Sequence, residues 1–319
     1  MIHYRPFLNS DPPALAEIWR GQPASRARVQ MMTPAALDDM VFCKPYFDRH
    51  GLILAIEDDK PIGFAHAGFG PNAELSGIEY RQGTTALLLV SPHHDHEVIA
   101  RELLSRCEQY LRDHGAATLF GGATKTLAPF YLGLCGASQL PGVLASDAAN
   151  TALFRQAGYS ETTHTRVFRC NLTEFRPPMD RDLMQVRRQY SLVKQADPLP
   201  QNWWEACAFA ATERHDFVLL PKANGAPVAE AKFWDMQPLA SSWGVHARGL
   251  VSLKVSASSS EIAIATHFVS EIFRQFQGVG VTVVEFQLHP DETLAIEVCR
   301  KLGFDEVDQG LLFQKPTTL

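Results

Sequence analysis

The chain repeats itself, and that limits its fold more than any other feature. The apolar run 52–56 is followed by the polar Glu57-Asp58-Asp59-Lys60 and then by 61–67, a strand, a turn and a strand. Much later 217–220, Lys222-Ala223-Asn224-Gly225 and 227–233 give the same hairpin with an Asn-Gly turn. After the first hairpin, 84–90 reads as a buried strand ended by Ser91-Pro92. A helix follows over 97–114, with Val98, Ile99, Leu103, Leu104, Cys107 and Leu111 at one-face spacing and Gly115 at the C-cap. After the second hairpin, 249–255 is the strand and Ser258-Ser259-Ser260-Glu261 supplies capping residues. Ile262, Ile264, Ala265, Phe268, Val269, Ile272, Phe273 and Phe276 then mark a helix closed by Gly278. Both halves go on with a strand (117–120; 281–288) and a helix ending in Gly158-Tyr159 or Gly303-Phe304. Each closes on a last strand (164–169; 311–314).

Repetition on this scale predicts two similarly folded domains of mixed α/β character. Pro and charge replace pattern at 173–179, which places an N-terminal domain at 1–174 and a C-terminal domain at 175–319. A helix near Trp203-Trp204 is expected early in the second half. Segment 121–146 of the first half, rich in Gly and apolar residues, has no counterpart in the second. It is either a lid or acceptor pocket with Tyr131 as its polar handle, or a plug packing one domain on the other.

Composition narrows the partners. With 46% hydrophobic and 20% charged residues the chain is globular, and a net charge of -6 argues against nucleic acid as a partner. The longest apolar runs are strand-sized, and no basic-then-apolar leader opens the chain, so no membrane partner and a cytoplasmic location are expected. Six dispersed cysteines without a CxxC pair read as free thiols. His93-His94-Asp95-His96 offers ligand types, but neighbours this close do not converge on one ion without a special turn, so no metal is expected.

Hairpin, strand, Val-x-Pro, helix, strand, and a short helix ending in Gly-aromatic resembles the GNAT (Gcn5-related N-acetyltransferase) superfamily, once per half. The resemblance implies an α/β fold of the α+β mixed-sheet kind, with two tandem acyl-CoA N-acyltransferase domains. The family pattern V-x-P-x-x-[RQ]-G-x-G-x-[GA] falls on Val90-Ser91-Pro92 and the residues to Ala100, where Asp95, His96 and Val98 replace Arg and two glycines. In the second half it falls on Val255-Ser256-Ala257 and the residues to Ala265; Ser260 and Glu261 replace Arg-Gly, and Ala263 is small. Free N–H groups and the dipole at a helix start hold a diphosphate if side chains allow close approach. The resemblance thus implies acetyl-CoA as co-substrate, held around Val90, His96, Glu97, Val98, Ile99 and Ala100, or around Val255, Ser260, Glu261, Ile262, Ala263 and Ala265.

The family mechanism implies direct attack by an acceptor amine, with the oxyanion met by main-chain amide near Val90 or Val255. The usual leaving-group acid is a Tyr four residues before the Gly of the Gly-aromatic ending; here Phe154 and Cys299 stand there, and only Cys299 carries a proton. Glu79 and Glu285 are the candidate bases. Two function classes follow: an N-acetyltransferase acting on a small-molecule or peptide amine, or a non-catalytic acyl-CoA-binding or interaction module. Oligomeric state is not readable.

Overall fold

The computed structural model describes residues 1–92, 95–196, 198–210, 212–256 and 260–316. His93, His94, Ala257, Ser258 and Ser259, part of the two junctions read above, lie outside them. The first half runs β1 (Ile2–Pro6), α1 (Pro12–Arg20), α2 (Pro34–Leu37), a π-helical turn, β2 (Leu52–Glu57), β3 (Lys60–Pro71) and β4 (Ile78–Val90). It continues α3 (His96–Asp113), β5 (Thr118–Gly121), β6 (Val143–Leu144), α4 (Ala148–Gln156) and β7 (Ser160–Asn171). The second half runs α5 (Arg181–Gln189), β8 (Tyr190–Lys194), α6 (Trp203–Ala208), β9 (Arg214–Pro221), β10 (Ala229–Asp235) and α7 (Gln237–Trp243). It ends β11 (Ala247–Val255), α8 (Glu261–Gly278), β12 (Val283–Leu288), α9 (Thr293–Lys301) and β13 (Asp305–Pro316).

Local chemistry explains the boundaries. Asp147, Asp180 and Asn202 cap α4, α5 and α6, each side chain accepting from the backbone N–H three residues on. Asp58 and Asp59 (φ 47° and 62°) and Asn224 with Gly225 (φ 72° and 150°) supply the positive φ that tight hairpins need. Ile99, Leu103, Leu104, Cys107 and Leu111 form the buried stripe of α3, whereas Val98 lies off it, 60% exposed. Asp95 stands at the N-cap of α3 without a capping side-chain bond. Helix α8 includes Gly278, and the left-handed turn comes at Gly280, φ 81°.

The sheet is one continuous surface in the order β1-β2-β3-β4-β5-β13-β7-β12-β11-β10-β9-β8, with β6 beside β13. Its two ends read alike, and its middle is an exchange. The last strand of the second half, β13, pairs antiparallel with β5 of the first, Phe313 opposite Gly121. The last strand of the first half, β7, pairs antiparallel with β12 of the second, Glu285 opposite Arg169. Strands β7 and β13 pair with each other between them. The repeat units are therefore consecutive in sequence but interlocked in space.

Helices α3 and α8 each cover a face of their own half, α8 over a phenylalanine-rich core of Phe217, Phe233, Phe268, Phe273 and Phe286. The opposite face is shared: Trp19, Phe64 and Tyr131 belong to one cluster with Trp234, Met236 and Leu239. Segment 121–146 fills that face as a plug. Trp234 Nε1 donates to the Ser138 carbonyl (2.7 Å), Gln139 Nε2 to that of Leu250 (3.1 Å), and Gln287 Nε2 to that of Leu140 (3.0 Å). No described helix is long and apolar enough to cross a membrane.

Candidate active site

The same irregularity occurs once in each half. On β4, Leu87 pairs with His66 and Thr85 with Ala67, which leaves Ala86 as an extra, bulged residue. On β11, Leu250 pairs with Phe233 and Ser252 with Lys232, which leaves Val251 extra. The parallel ladders to the next strand stop at that level, with Thr85 opposite Gly121 and Gly249 opposite Glu285. A bulge bends its strand, so each pair splays apart towards the start of α3 or α8. Ser91 N–H donates to the Ile62 carbonyl and Ser256 N–H to that of Val228. Backbone groups alternate sides along a strand, so Val90 and Val255, one residue earlier, turn theirs into the gaps.

A V-shaped gap between parallel strands, opening at a helix start and built twice on one sheet, fixes the architecture. The chain is a tandem GNAT-fold protein. Residues 16–132 match the model of the acetyltransferase (GNAT) family. A tandem GNAT protein from the clavulanic acid biosynthesis pathway superposes with a TM-score of 0.65 at 13% identity, covering 100% of this chain and 99% of that one. A GCN5-related N-acetyltransferase from Sphaerobacter thermophilus gives 0.63 at 15% identity, covering 99% and 95%. An acetyltransferase described as putative, from Pyrococcus horikoshii, gives 0.57 at 12%, covering 99% and 90%. No curated protein sequence matches significantly.

The two gaps of this tandem GNAT fold differ. In the first half, residues 86–90 of β4 are all buried. The Val90 carbonyl accepts from Gln22 Nε2 (3.0 Å) and the Leu88 carbonyl from Asn150 Nδ2 (3.3 Å), so side chains take up the strand edge. Beneath them Arg28 Nη1 meets Asp147 Oδ2 at 2.7 Å, both side chains nearly buried. What remains is a cavity of about 160 Å³ beside His96, Glu97 and Ala100. Where the β4–β5 ladder ends, Phe154 packs over Gly121, where a Cβ would come within 2.5 Å of the ring.

In the second half the matching edge is open: Val251, Ser252, Leu253 and Val255 are half-buried and Lys254 is exposed. A cavity of about 760 Å³ lies at the first turn of α8, bordered by Ser260, Glu261, Ile262 and Ala263 and by Lys301 of α9. Lys301 adds positive charge where the helix dipole favours an anion, while Asp180, Asp182 and Glu261 line the same cavity. Where the β11–β12 ladder ends, Gln139 from the plug holds the Leu250 carbonyl, and Glu285 pairs opposite Gly249.

Glu285 is fully buried in an ion cluster. Its Oε1 accepts from Arg26 Nη2 (2.6 Å) and Arg169 Nε (3.0 Å), while its Oε2 has no hydrogen-bond partner. Both guanidinium groups lie over the Trp243 ring. Glu79 stands at the far end of β4, paired opposite Gly70 and accepting from Arg81 N–H, seven residues before the bulge. Tyr131 is buried in the plug; its hydroxyl lies 2.9 Å from His66 Nδ1, and burial raises its pKa far above the usual phenol range. Burial holds His66 down to about 3. Cys299 is fully buried on α9, and desolvation lifts its thiol well above the usual range. The structure thus places Ser260, Glu261, Ile262 and Ala263 at the second cavity and Glu285 where the β11–β12 ladder ends, buries Ala265 and Ile99 in the cores beneath their helices, and keeps Glu79, Tyr131 and Cys299 elsewhere. Sequence reasoning missed Gln22, Arg26, Arg28 and Arg169. Asp147 and Asn150 were legible as caps, but not as residues of a gap.

Proposed function

We propose that the chain is an N-acetyltransferase whose acetyl-CoA site is the gap of the second half. The observation that carries this is the contrast at the strand edges: residues 251–255 present a half-exposed edge leading to α8, whereas residues 86–90 are buried beneath Gln22 and Asn150. At the start of α8 the helix dipole favours an anionic cofactor, against the carboxylates of Asp180, Asp182 and Glu261 that also line the cavity. Ala263 is small where a larger side chain would close the first turn, and Lys301 faces the same cavity. The Val255 amide, turned into the gap, meets the oxyanion formed when an amine nitrogen attacks the thioester carbonyl and the C–S bond breaks. Cys299 is sealed off, so water supplies the proton to the departing thiolate. Glu285, bound by two arginines, acts on the amine proton only through water. The filled edge of the first gap favours the second reading, a non-catalytic module, for that half alone.

Matched substitutions test the assignment. Ala263→Arg and Val98→Arg fall on equivalent positions of α8 and α3. By calorimetry Ala263→Arg should weaken acetyl-CoA binding about 100-fold, and Val98→Arg less than about twofold. The opposite order places the cofactor in the first half; no heat from the unmodified protein removes the reading.

A further inference from the structure

On the shared face a cavity of about 620 Å³ lies between the halves. Met31, Met32, Met40, Leu134 and Trp234 form much of its apolar wall. The charged side chains lining it are acidic: Asp39, Glu213 and Asp235. Next to it one carboxylate oxygen each of Glu213 and Asp235 and one ring nitrogen of His215 lie within 4.8 Å of one another. His215 is 6% exposed, and its Nε2 has no hydrogen-bond partner, with Glu213 Oε1 3.6 Å away. Burial, and then Arg248, hold its pKa down to about 4, so the ring is neutral at pH 7 and offers an acceptor nitrogen.

Three acceptors so grouped suit the three N–H donors of a primary ammonium. Tetrahedral bonds of about 2.8 Å set their acceptors about 4.6 Å apart. The charge also fits. Arg248 Nη1 lies 2.8 Å from Asp235 Oδ1, so with Asp39 the three carboxylates outnumber this one guanidinium and leave a negative excess that favours a cation. A bare metal ion would leave the methionine-rich walls unused. We propose that this cavity binds a primary ammonium carried on an apolar body, the cation held by Glu213, His215 and Asp235. An ammonium held by carboxylates keeps its proton and has no lone pair for attack. The site therefore anchors a non-reacting cation and does not depend on acetyl transfer.

Calorimetry on the intact protein without acyl donor tests this, with tryptamine and its neutral isostere tryptophol as probes. Tryptamine should bind saturably at one site, and tryptophol at least about tenfold more weakly. Glu213→Gln, at a side chain 70% exposed and so without risk to folding, should remove most of that difference by weakening tryptamine alone. Ala36→Trp, which fills the cavity, should weaken both. Equal affinity for the two probes, no saturable heat from tryptamine, or Zn²⁺ binding that tryptamine cannot displace would overturn the proposal.

Discussion

The two gaps share a bulge, a register and a helix start, yet one is closed and the other open. Three side chains account for most of the difference. Gln22 and Asn150 satisfy carbonyls on β4 that a ligand's amides would otherwise meet, and Phe154 packs over Gly121 where the ladder ends. On β11 Gln139 from the plug reaches the innermost carbonyls, those of Leu250 (3.1 Å) and Val251 (3.5 Å). A duplicated fold thus keeps its architecture while side chains fill the strand edge of one copy. Strand and helix packing preserves the architecture, and a few polar side chains decide the space.

The comparison can be broken most severely at the exchange. Residues 1–174 expressed alone should fail to give a soluble folded protein, because β5 and β7 would both present unpaired edges. A protease site placed after residue 174 should instead yield two fragments that co-elute on size exclusion. A well-folded isolated first half would show that the exchange is dispensable.

Acidification comes next. The folded state holds His66 neutral to about pH 3, against 6.5 for an unperturbed His, so the unfolded chain binds the extra proton between those values. The contribution is complete above pH 6.5 and is lost progressively as pH falls towards 3. Denaturant midpoints measured from pH 7 to pH 4 should decline and should flatten in His66→Phe. The matching register position in the second half is Lys232, which pairs with Glu205 at 3.2 Å.

Glu285→Gln should cost about 3 kcal/mol in chemical denaturation, since it leaves Arg26 and Arg169 facing a neutral group in a buried site. The matching residue of the first half is Phe120, so no such cluster is repeated there. The smallest effect should come from Asn150→Ala, about 1 kcal/mol for the lost hydrogen bond to Leu88. Acetyl-CoA affinity should not change; a gain would mean that Asn150 alone shuts the first gap.

Much of the fold was legible because the signals are local. Alternation in 52–67 and 217–233 and the apolar stripes of α3 and α8 need only neighbouring residues. The exchange was not legible, since β7 and β13 carry the same closing-strand pattern and nothing in either names its partner. The site was legible as a junction, through Val255 to Ala265, but not as open or closed. Openness depends on Gln22 reaching β4 from a distant loop, and on Arg26 and Arg169 meeting at Glu285 across 259 and 116 residues. The segment 121–146 showed in sequence that it must dock somewhere. Where it docks was decided by Trp234 and Gln287, far along the chain.

Interlocked final strands also bear on how such a chain can change over time. A repeat unit is ordinarily free to erode or be deleted. Here the first copy supplies β7, which lies between two strands of the second, so mutation can fill its pocket but not discard its frame.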